Sequence, residues 1–134
     1  MNSKPKVFLS YAREDRDTVS KIYNYLLNNS CEPWMDIEKL LPGQDWEYEI
    51  DIAIKNTDFF IACLTTNSVV KTGYVQKELR KALDIIGRFP EGKIFVIPLR
   101  LDDCGVPHSL EKYNYTDWFD LTSRKLLLKA IHKV

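Results

Sequence analysis

The strongest constraint on the fold is a regular alternation of short apolar runs of β type with amphipathic helical patterns along the chain. These runs predict strands at residues 6–10, 33–36, 57–64, 93–101 and 118–121. Between and after them, apolar residues recur every three or four positions, as they do on one face of a helix. Because parallel strands need long crossover connections, this pattern predicts an open five-stranded parallel sheet with helices on both faces. We expect the flavodoxin-like strand order 2-1-3-4-5.

Several local signals refine this architecture. The most continuous apolar run, at 57–64, predicts a central strand that is buried on both faces. Pro98 cannot donate a ladder hydrogen bond, so we expect it at a strand end or a sheet edge. Asp45 is a candidate N-cap for a helix whose inner face carries Trp46, Ile50, Ala53 and Ile54. Gly87 predicts the end of the helix that lies between the third and fourth strands.

Length, composition and charge indicate a soluble single domain. The 134 residues are 45% apolar and 28% charged, and 19 basic residues balance 19 acidic ones. A net charge of zero argues against a dedicated binder of nucleic acid or anionic membranes. No apolar run approaches the roughly 20 residues of a membrane span, and the N-terminus lacks the apolar stretch of a secretory signal. We expect one domain over 1–134. The last helix runs to Val134 without a polar tail, which is consistent with a domain cut from a longer chain.

The chemistry of the side chains excludes several enzyme classes. The sequence contains no GxGxxG, no GxxxxGK[ST] and no GxSxG motif, and no aspartates follow the first and third strands as a phospho-receiver site requires. The two histidines, His108 and His132, are far apart and predict neither a catalytic triad nor a metal site. Three widely spaced cysteines predict free thiols and a cytoplasmic location. We therefore expect no metal and no bound cofactor.

Polar and aromatic groups remain at the carboxyl ends of the predicted strands, where ligands bind in open parallel sheets. They come from residues 10–13, 34–36, 40–43 and 65–68. The helix after the third strand adds Tyr74 and Glu78, which lie about one turn apart on the same face. Glu78 also borders the inward stripe of this helix, between the core and the cleft.

With these residues in view, the chain resembles a TIR (Toll/interleukin receptor) domain of the bacterial type over nearly its whole length. The resemblance is carried by the order and spacing of four segments, which are VFLSYAREDRD at 7–17, PWMDIEKLLPGQDWEYEIDIAI at 33–54, DFFIACLTTNSVVKTGYVQKEL at 58–79 and KIFVIPLRLDD at 93–103. The second segment corresponds to the BB loop of the family.

This resemblance implies an NAD+ glycohydrolase or cyclase, which releases nicotinamide and ADP-ribose or cyclic ADP-ribose as a defence or signalling effector. It assigns catalysis to Glu78, with Tyr74 at the position where the family usually has Trp. We take NAD+ as the substrate. The candidate substrate-binding residues are Ser10, Tyr11, Arg13, Trp34, Asp36, Trp46, Ser68 and Tyr74.

Structural roles stay open for these residues. Spacing alone favours Glu78 as a solvated helix carboxylate paired with Lys77 or Lys81, and only the resemblance favours catalysis. Trp34 and Trp46 are candidates for packing, and Ser68 for ordering its own loop.

Two other functions also stay open. One is a non-catalytic interaction module that binds other TIR domains through the BB loop, here about Asp36 to Gln44, whose Leu40-Leu41-Pro42 tip is apolar. The other is nucleotide binding without turnover. The resemblance further implies self-association through that loop and a fused sensor domain beyond Val134. We expect neither nucleic acid nor membrane as a partner.

Overall fold

The structure is a computed structural model that describes residues 4–70, 74–88 and 95–132, with the side chains at 37, 70 and 74–76 outside the description. Five parallel strands form one sheet in the order β2-β1-β3-β4-β5. The strands are β1 (Lys6–Ser10), β2 (Glu32–Trp34), β3 (Phe59–Leu64), β4 (Val96–Arg100) and β5 (Thr116–Asp117). The predicted fold class and strand order are confirmed.

Six helices are described around this sheet. They are α1 (Arg16–Leu27), α2 (Asp36–Lys39), α3 (Trp46–Lys55), α4 (Thr66–Val70), α5 (Tyr74–Ile86) and α6 (Leu121–His132), with 3-10 turns at Arg13–Asp15 and His108–Leu110. Two signals read from the sequence are confirmed: the Asp45 side chain accepts a hydrogen bond from the Tyr48 amide, and α5 ends immediately before Gly87. In the described part of the chain, no helix combines the length and the apolar character needed to cross a bilayer.

The core lies in two layers, one on each face of the sheet. Alternation along the strands sends Leu9 and Ile61 to the layer under α1 and α6, and Phe8 and Phe60 to the layer under α3 and α5. Strand β3 is buried on both faces, as its continuous apolar run predicts. The carboxyl ends of β1 and β2 therefore lie between two core layers, one rich in aliphatic side chains and one that contains stacked aromatic rings.

Pro98 lies in the middle of β4, opposite Ala62 of β3, so its predicted place at a strand end or a sheet edge is wrong. The backbone explains why it is tolerated. Amides and carbonyls of β4 point alternately to its two neighbours, and the Arg100 carbonyl accepts from Trp118 on the β5 side. By this alternation the nitrogen of Pro98 also points to the β5 side, where β5 begins only at the level of Leu99.

Further boundaries differ from prediction, since β3 begins at Phe59 rather than at 57 and β4 ends at Arg100 rather than at 101. The second strand ends at Trp34, and the segment predicted as strand and loop contains the short helix α2. The loop after β3 contains α4, and its residues 71–73 lie outside the described part. The fifth strand occupies Thr116–Asp117 rather than 118–121, because Leu121 already begins α6.

Candidate active site

A small cavity lies where β1 and β2 end beneath the N-terminal part of α5. Its walls are formed by Phe8, Leu9, Tyr11, Trp34, Asp36 and Glu78. These residues come from β1 and the residue just after it, from β2, from the first turn of α2 and from α5. The parallel topology brings them together, because every strand of such a sheet delivers its carboxyl end to the same edge.

Glu78 is buried in this cavity, with only 4% of its surface exposed. It precedes the buried Leu79 and lies four positions before the buried Ala82, so the helix turns it towards the sheet. The alternative interpretation as a solvated helix carboxylate is therefore wrong. Lys77 and Lys81, the neighbours considered as its partners, bond Glu47 and Asp51 of α3.

Tyr11 and Asp36 form a hydrogen-bonded pair in the same cavity, with the phenol hydroxyl donating to the carboxylate. Burial raises the pKa of the Tyr11 phenol well above its usual range. The hydrogen bond to Asp36 and the negative charges of Asp36 and Glu78 raise this pKa further, against the opposing effect of Arg16. Tyr11 is thus a neutral hydrogen-bond donor beside two acidic side chains.

Aromatic rings form another part of the cavity wall. The Trp34 indole stacks on the Phe8 ring with a centroid distance of 5.0 Å and an interplanar angle of 10°. Trp34 is a candidate residue from the sequence, whereas Phe8 is not among those candidates. The signal was present, because Phe8 lies two residues before Ser10 and strand periodicity puts both side chains on the α5 side of the sheet.

The structure does not bring every predicted residue to the cavity. Ser10 is buried at the end of β1, and its hydroxyl has no hydrogen-bond partner among the described residues. Arg13 is exposed in a 3-10 turn. Ser68 is buried in α4, where its hydroxyl accepts a hydrogen bond from the Thr65 amide at 2.8 Å and orders that turn. None of these three residues lines the cavity.

The two remaining candidates have different outcomes. Trp46 is 50% exposed at the start of α3, so its predicted inward orientation is wrong, and it does not line the cavity. The Tyr74 side chain lies outside the described residues, although the backbone places Tyr74 at the first position of α5.

The cavity is closed in this structure. Its accessible volume is ≈ 10 Å³, about the space that one water molecule needs. Asp36, the first residue of the short helix α2, is the residue of the Asp36–Gln44 segment that lines the cavity. Among the described residues, no group of three or more His, Cys, Asp or Glu side chains has an arrangement that could hold a metal ion.

Comparison with known proteins identifies the family. The model of the TIR domain family matches residues 7–129 of this chain. The chain belongs to the TIR domain family. This TIR domain carries the buried Glu78 on α5, between β3 and β4, where the sequence resemblance places the catalytic residue.

Solved structures agree on the fold. The TIR domain of the Toll-related receptor TRR-2 from Hydra magnipapillata is 24% identical, with a TM-score of 0.73, and the alignment covers 92% of this chain and 91% of that one. The TIR domains of the activated Roq1 resistosome, which recognises the pathogen effector XopQ, are 27% identical, with a TM-score of 0.65 and coverage of 83% and 64%. A prokaryotic SEFIR domain is 19% identical, with a TM-score of 0.71 and coverage of 97% and 100%. No curated protein matches the chain.

Proposed function

We propose that this TIR domain cleaves NAD+ at the bond between nicotinamide and ribose, and that it acts as a defence or signalling effector. Water adds to the ribose carbon and gives up a proton, which yields nicotinamide and ADP-ribose; alternatively a nucleophilic group of the same molecule attacks that carbon, which yields nicotinamide and a cyclic ADP-ribose. The observation that carries the proposal is the burial of Glu78 in one cavity with the Tyr11–Asp36 pair and the ring of Trp34. NAD+ is the substrate, and the reaction needs no additional cofactor.

One carboxylate is sufficient for this reaction. Most glycosidases need a second carboxyl group to protonate the departing oxygen. Nicotinamide is part of a cationic pyridinium in NAD+ and leaves as a neutral molecule, so no proton has to be supplied. Positive charge develops on the ribose instead. A carboxylate of Glu78 beside the ribose stabilises that charge, and burial strengthens the interaction because the local dielectric is low.

The other groups of the cavity suit a cationic substrate. Asp36 adds a second negative charge, and its hydrogen bond from Tyr11 fixes the orientation of the carboxylate. The rings of Trp34 and Phe8 line the cavity beside these acidic groups and offer an apolar surface to the nicotinamide ring. The candidates Ser10, Arg13, Trp46, Ser68 and Tyr74 remain proposals for contacts with the rest of the dinucleotide.

Substrate entry requires the cavity to open. A space of ≈ 10 Å³ does not admit a nicotinamide ring. The segment from Asp36 to Gln44 is the natural moving part, since it supplies one wall through Asp36 and carries an exposed tip. We infer that displacement of this segment precedes catalysis, as lid movements do in many enzymes.

The test follows nicotinamide release from NAD+ by chromatography for the wild-type domain, for Glu78→Gln and for Asp84→Asn. Asp84 is an exposed carboxylate on the same helix and serves as the matched control. We expect Glu78→Gln to lower the rate about 10²–10⁴-fold and Asp84→Asn to leave it unchanged. Unaltered turnover in Glu78→Gln, with folding verified by circular dichroism, would refute the assigned role. Binding of NAD+ by calorimetry without nicotinamide release would favour a sensor instead.

A second candidate function is assembly with other TIR domains. Leu41 at the tip of the Asp36–Gln44 segment is 66% exposed, and exposed apolar tips commonly mark contacts between proteins. The related Roq1 structure is that of an assembled resistosome. We propose that this segment mediates self-association, either on its own account or to complete the NAD+ site.

Sedimentation and NAD+ cleavage at increasing protein concentration test this second function. Leu41→Glu should shift the domain towards the monomer and reduce the specific activity gained at high concentration. Leu27→Glu changes an exposed leucine on α1 and should have neither effect. Identical sedimentation of the Leu41→Glu variant and the wild type at every concentration would exclude the segment as the contact.

We also propose a cytoplasmic location. The three cysteines are free and buried in the structure, as is usual in a reducing compartment.

A further inference from the structure

A column of stacked aromatic rings crosses three neighbouring strands and ends at the edge of the sheet. The rings of Phe60, Phe8 and Trp34 stand on β3, β1 and β2, with centroid separations of 5.2 and 5.0 Å and interplanar angles of 7° and 10°. These separations match the spacing of adjacent strands, so the rings stack along the direction of the ladder hydrogen bonds. Strand β2 is the last strand on this side. The outer face of the Trp34 indole is therefore turned beyond the sheet.

A groove of ≈ 350 Å³ lies at this edge, between β2 and α3. Its apolar walls come from Pro33, Trp34, Ile52 and Ala53, and its rim carries side chains of both charges, including Lys39 and Glu49. The groove continues along β2 towards Glu32 and Asn56, away from Glu78. Trp34 is the residue that this groove shares with the cavity of Glu78.

We propose that this groove binds a purine nucleoside, with its base stacked on the outer face of Trp34 as the next ring of the column. Three observations support this ligand class. The column leaves a stacking position at its outer end, which suits a planar ring. The rim offers donors from Lys39 and Asn56 and acceptors from Glu49, which suit the exocyclic amine and ring nitrogens of a purine. The volume lies in the range of small-molecule sites.

The site is separate from the proposed NAD+ site. Trp34 stands between the two spaces, and its inner face is already covered by Phe8. A base bound outside covers the other face of the same indole. The inference does not depend on NAD+ cleavage, since the stack and the groove do not include Glu78.

Adenosine is the probe, and tryptophan fluorescence is the measurement. Titration in a Trp46→Phe background leaves Trp34 as the accessible indole, because Trp118 is buried. We expect saturable quenching. Ile52→Arg extends a charged chain over the groove and should weaken the affinity at least tenfold. Tyr48→Arg places the same side chain at an exposed position of α3 outside the groove, and should bind adenosine like the parent.

Each result of these titrations either supports or overturns the groove as the adenosine site. Loss of binding in Ile52→Arg with retention in Tyr48→Arg supports the groove. Absence of saturable quenching in the parent, or equal affinity in Ile52→Arg and the parent, overturns it. The same titration in Glu78→Gln separates this inference from the proposed activity. Adenosine should bind to the Glu78→Gln variant with unchanged affinity, whether or not Glu78 has a role in NAD+ cleavage.

Discussion

At the residue scale, Tyr11 has the most specific environment in the cavity, and its removal gives a direct test. Tyr11→Phe keeps the ring and deletes the hydroxyl that donates to Asp36. A hydrogen bond to a charged group contributes roughly 1.5–3 kcal/mol, so we expect the free energy of unfolding to fall by about that amount. Tyr48→Phe removes a hydroxyl from an exposed ring and should change stability little. Urea denaturation of both variants makes the comparison. Equal stability of the two would show that the Tyr11–Asp36 bond is energetically unimportant.

The residues that line the cavity follow in part from topology. Tyr11 and Asp36 come just after the carboxyl ends of neighbouring parallel strands, and Trp34 lies at such an end. The phase of its helix puts Glu78 beside the inward stripe, but spacing alone favours a solvated carboxylate, and only the family resemblance assigns this residue to a site. Ser68 was harder to place because a hydroxyl that orders its own turn and one that contacts a ligand have the same sequence signature.

The predicted burial of Trp46 is wrong although its phase on the helix is correct. It lies four residues before Ile50 and eight before Ile54, so it continues the inward stripe of α3. Ile50 and Ile54 are buried, whereas Trp46 is in the first turn of the helix and half exposed. Periodicity defines the face of a helix and does not say how far the sheet extends beneath it.

At the scale of elements, the turn before α3 depends on one glycine. Gly43 has φ = +89°, and a Cβ added there meets no atom within 4 Å. Any cost of Gly43→Ala is therefore backbone strain, which is about 1–2 kcal/mol for a left-handed residue. Gly105 likewise has open space around the added Cβ, but its φ lies outside that region. Thermal unfolding should show a lower melting temperature for Gly43→Ala and little change for Gly105→Ala. Equal shifts in the two variants would refute the assignment of strain.

Element prediction failed most clearly at the shortest elements. Strand β1 agrees residue for residue, whereas β5 was displaced by two residues. Two residues give too short a window for any periodicity, and the apolar signal at 118–121 belongs partly to the start of α6. Helix α2 was missed for the same reason, since four residues make barely one turn.

At the scale of the whole molecule, both proposed sites depend on the same aromatic layer. Phe8 belongs to the core beneath α3 and α5, and it also forms one wall of the Glu78 cavity. Trp34 adjoins that layer at the sheet edge, with one face on Phe8 and the other towards the groove. Packing of the core and the shape of the sites are therefore linked. Large-to-small changes in this layer should affect both.

The stability of the fold at alkaline pH is also a property of the whole core, because cysteine thiols are buried in several of its parts. Burial raises the pKa of the Cys31 and Cys63 thiols above 9.0, the pKa of an unperturbed cysteine thiol. It also raises the pKa of the Cys104 thiol to about 11. The unfolded chain loses these protons near pH 9 while the folded chain retains them. The stabilisation is therefore fully present below pH 9 and is lost as pH rises towards the folded pKa values.

Cys63→Ala tests this linkage under reducing conditions, with urea denaturation between pH 7 and 10.5. The variant should be less stable than the wild type at pH 7, since it leaves a small cavity in the core. Above pH 9 the difference should shrink by about 1.4 kcal/mol per pH unit, because the wild type loses the contribution of one proton that the variant never had. Curves that stay parallel from pH 7 to 10.5 would show that the Cys63 thiol ionises alike in the folded and unfolded chains.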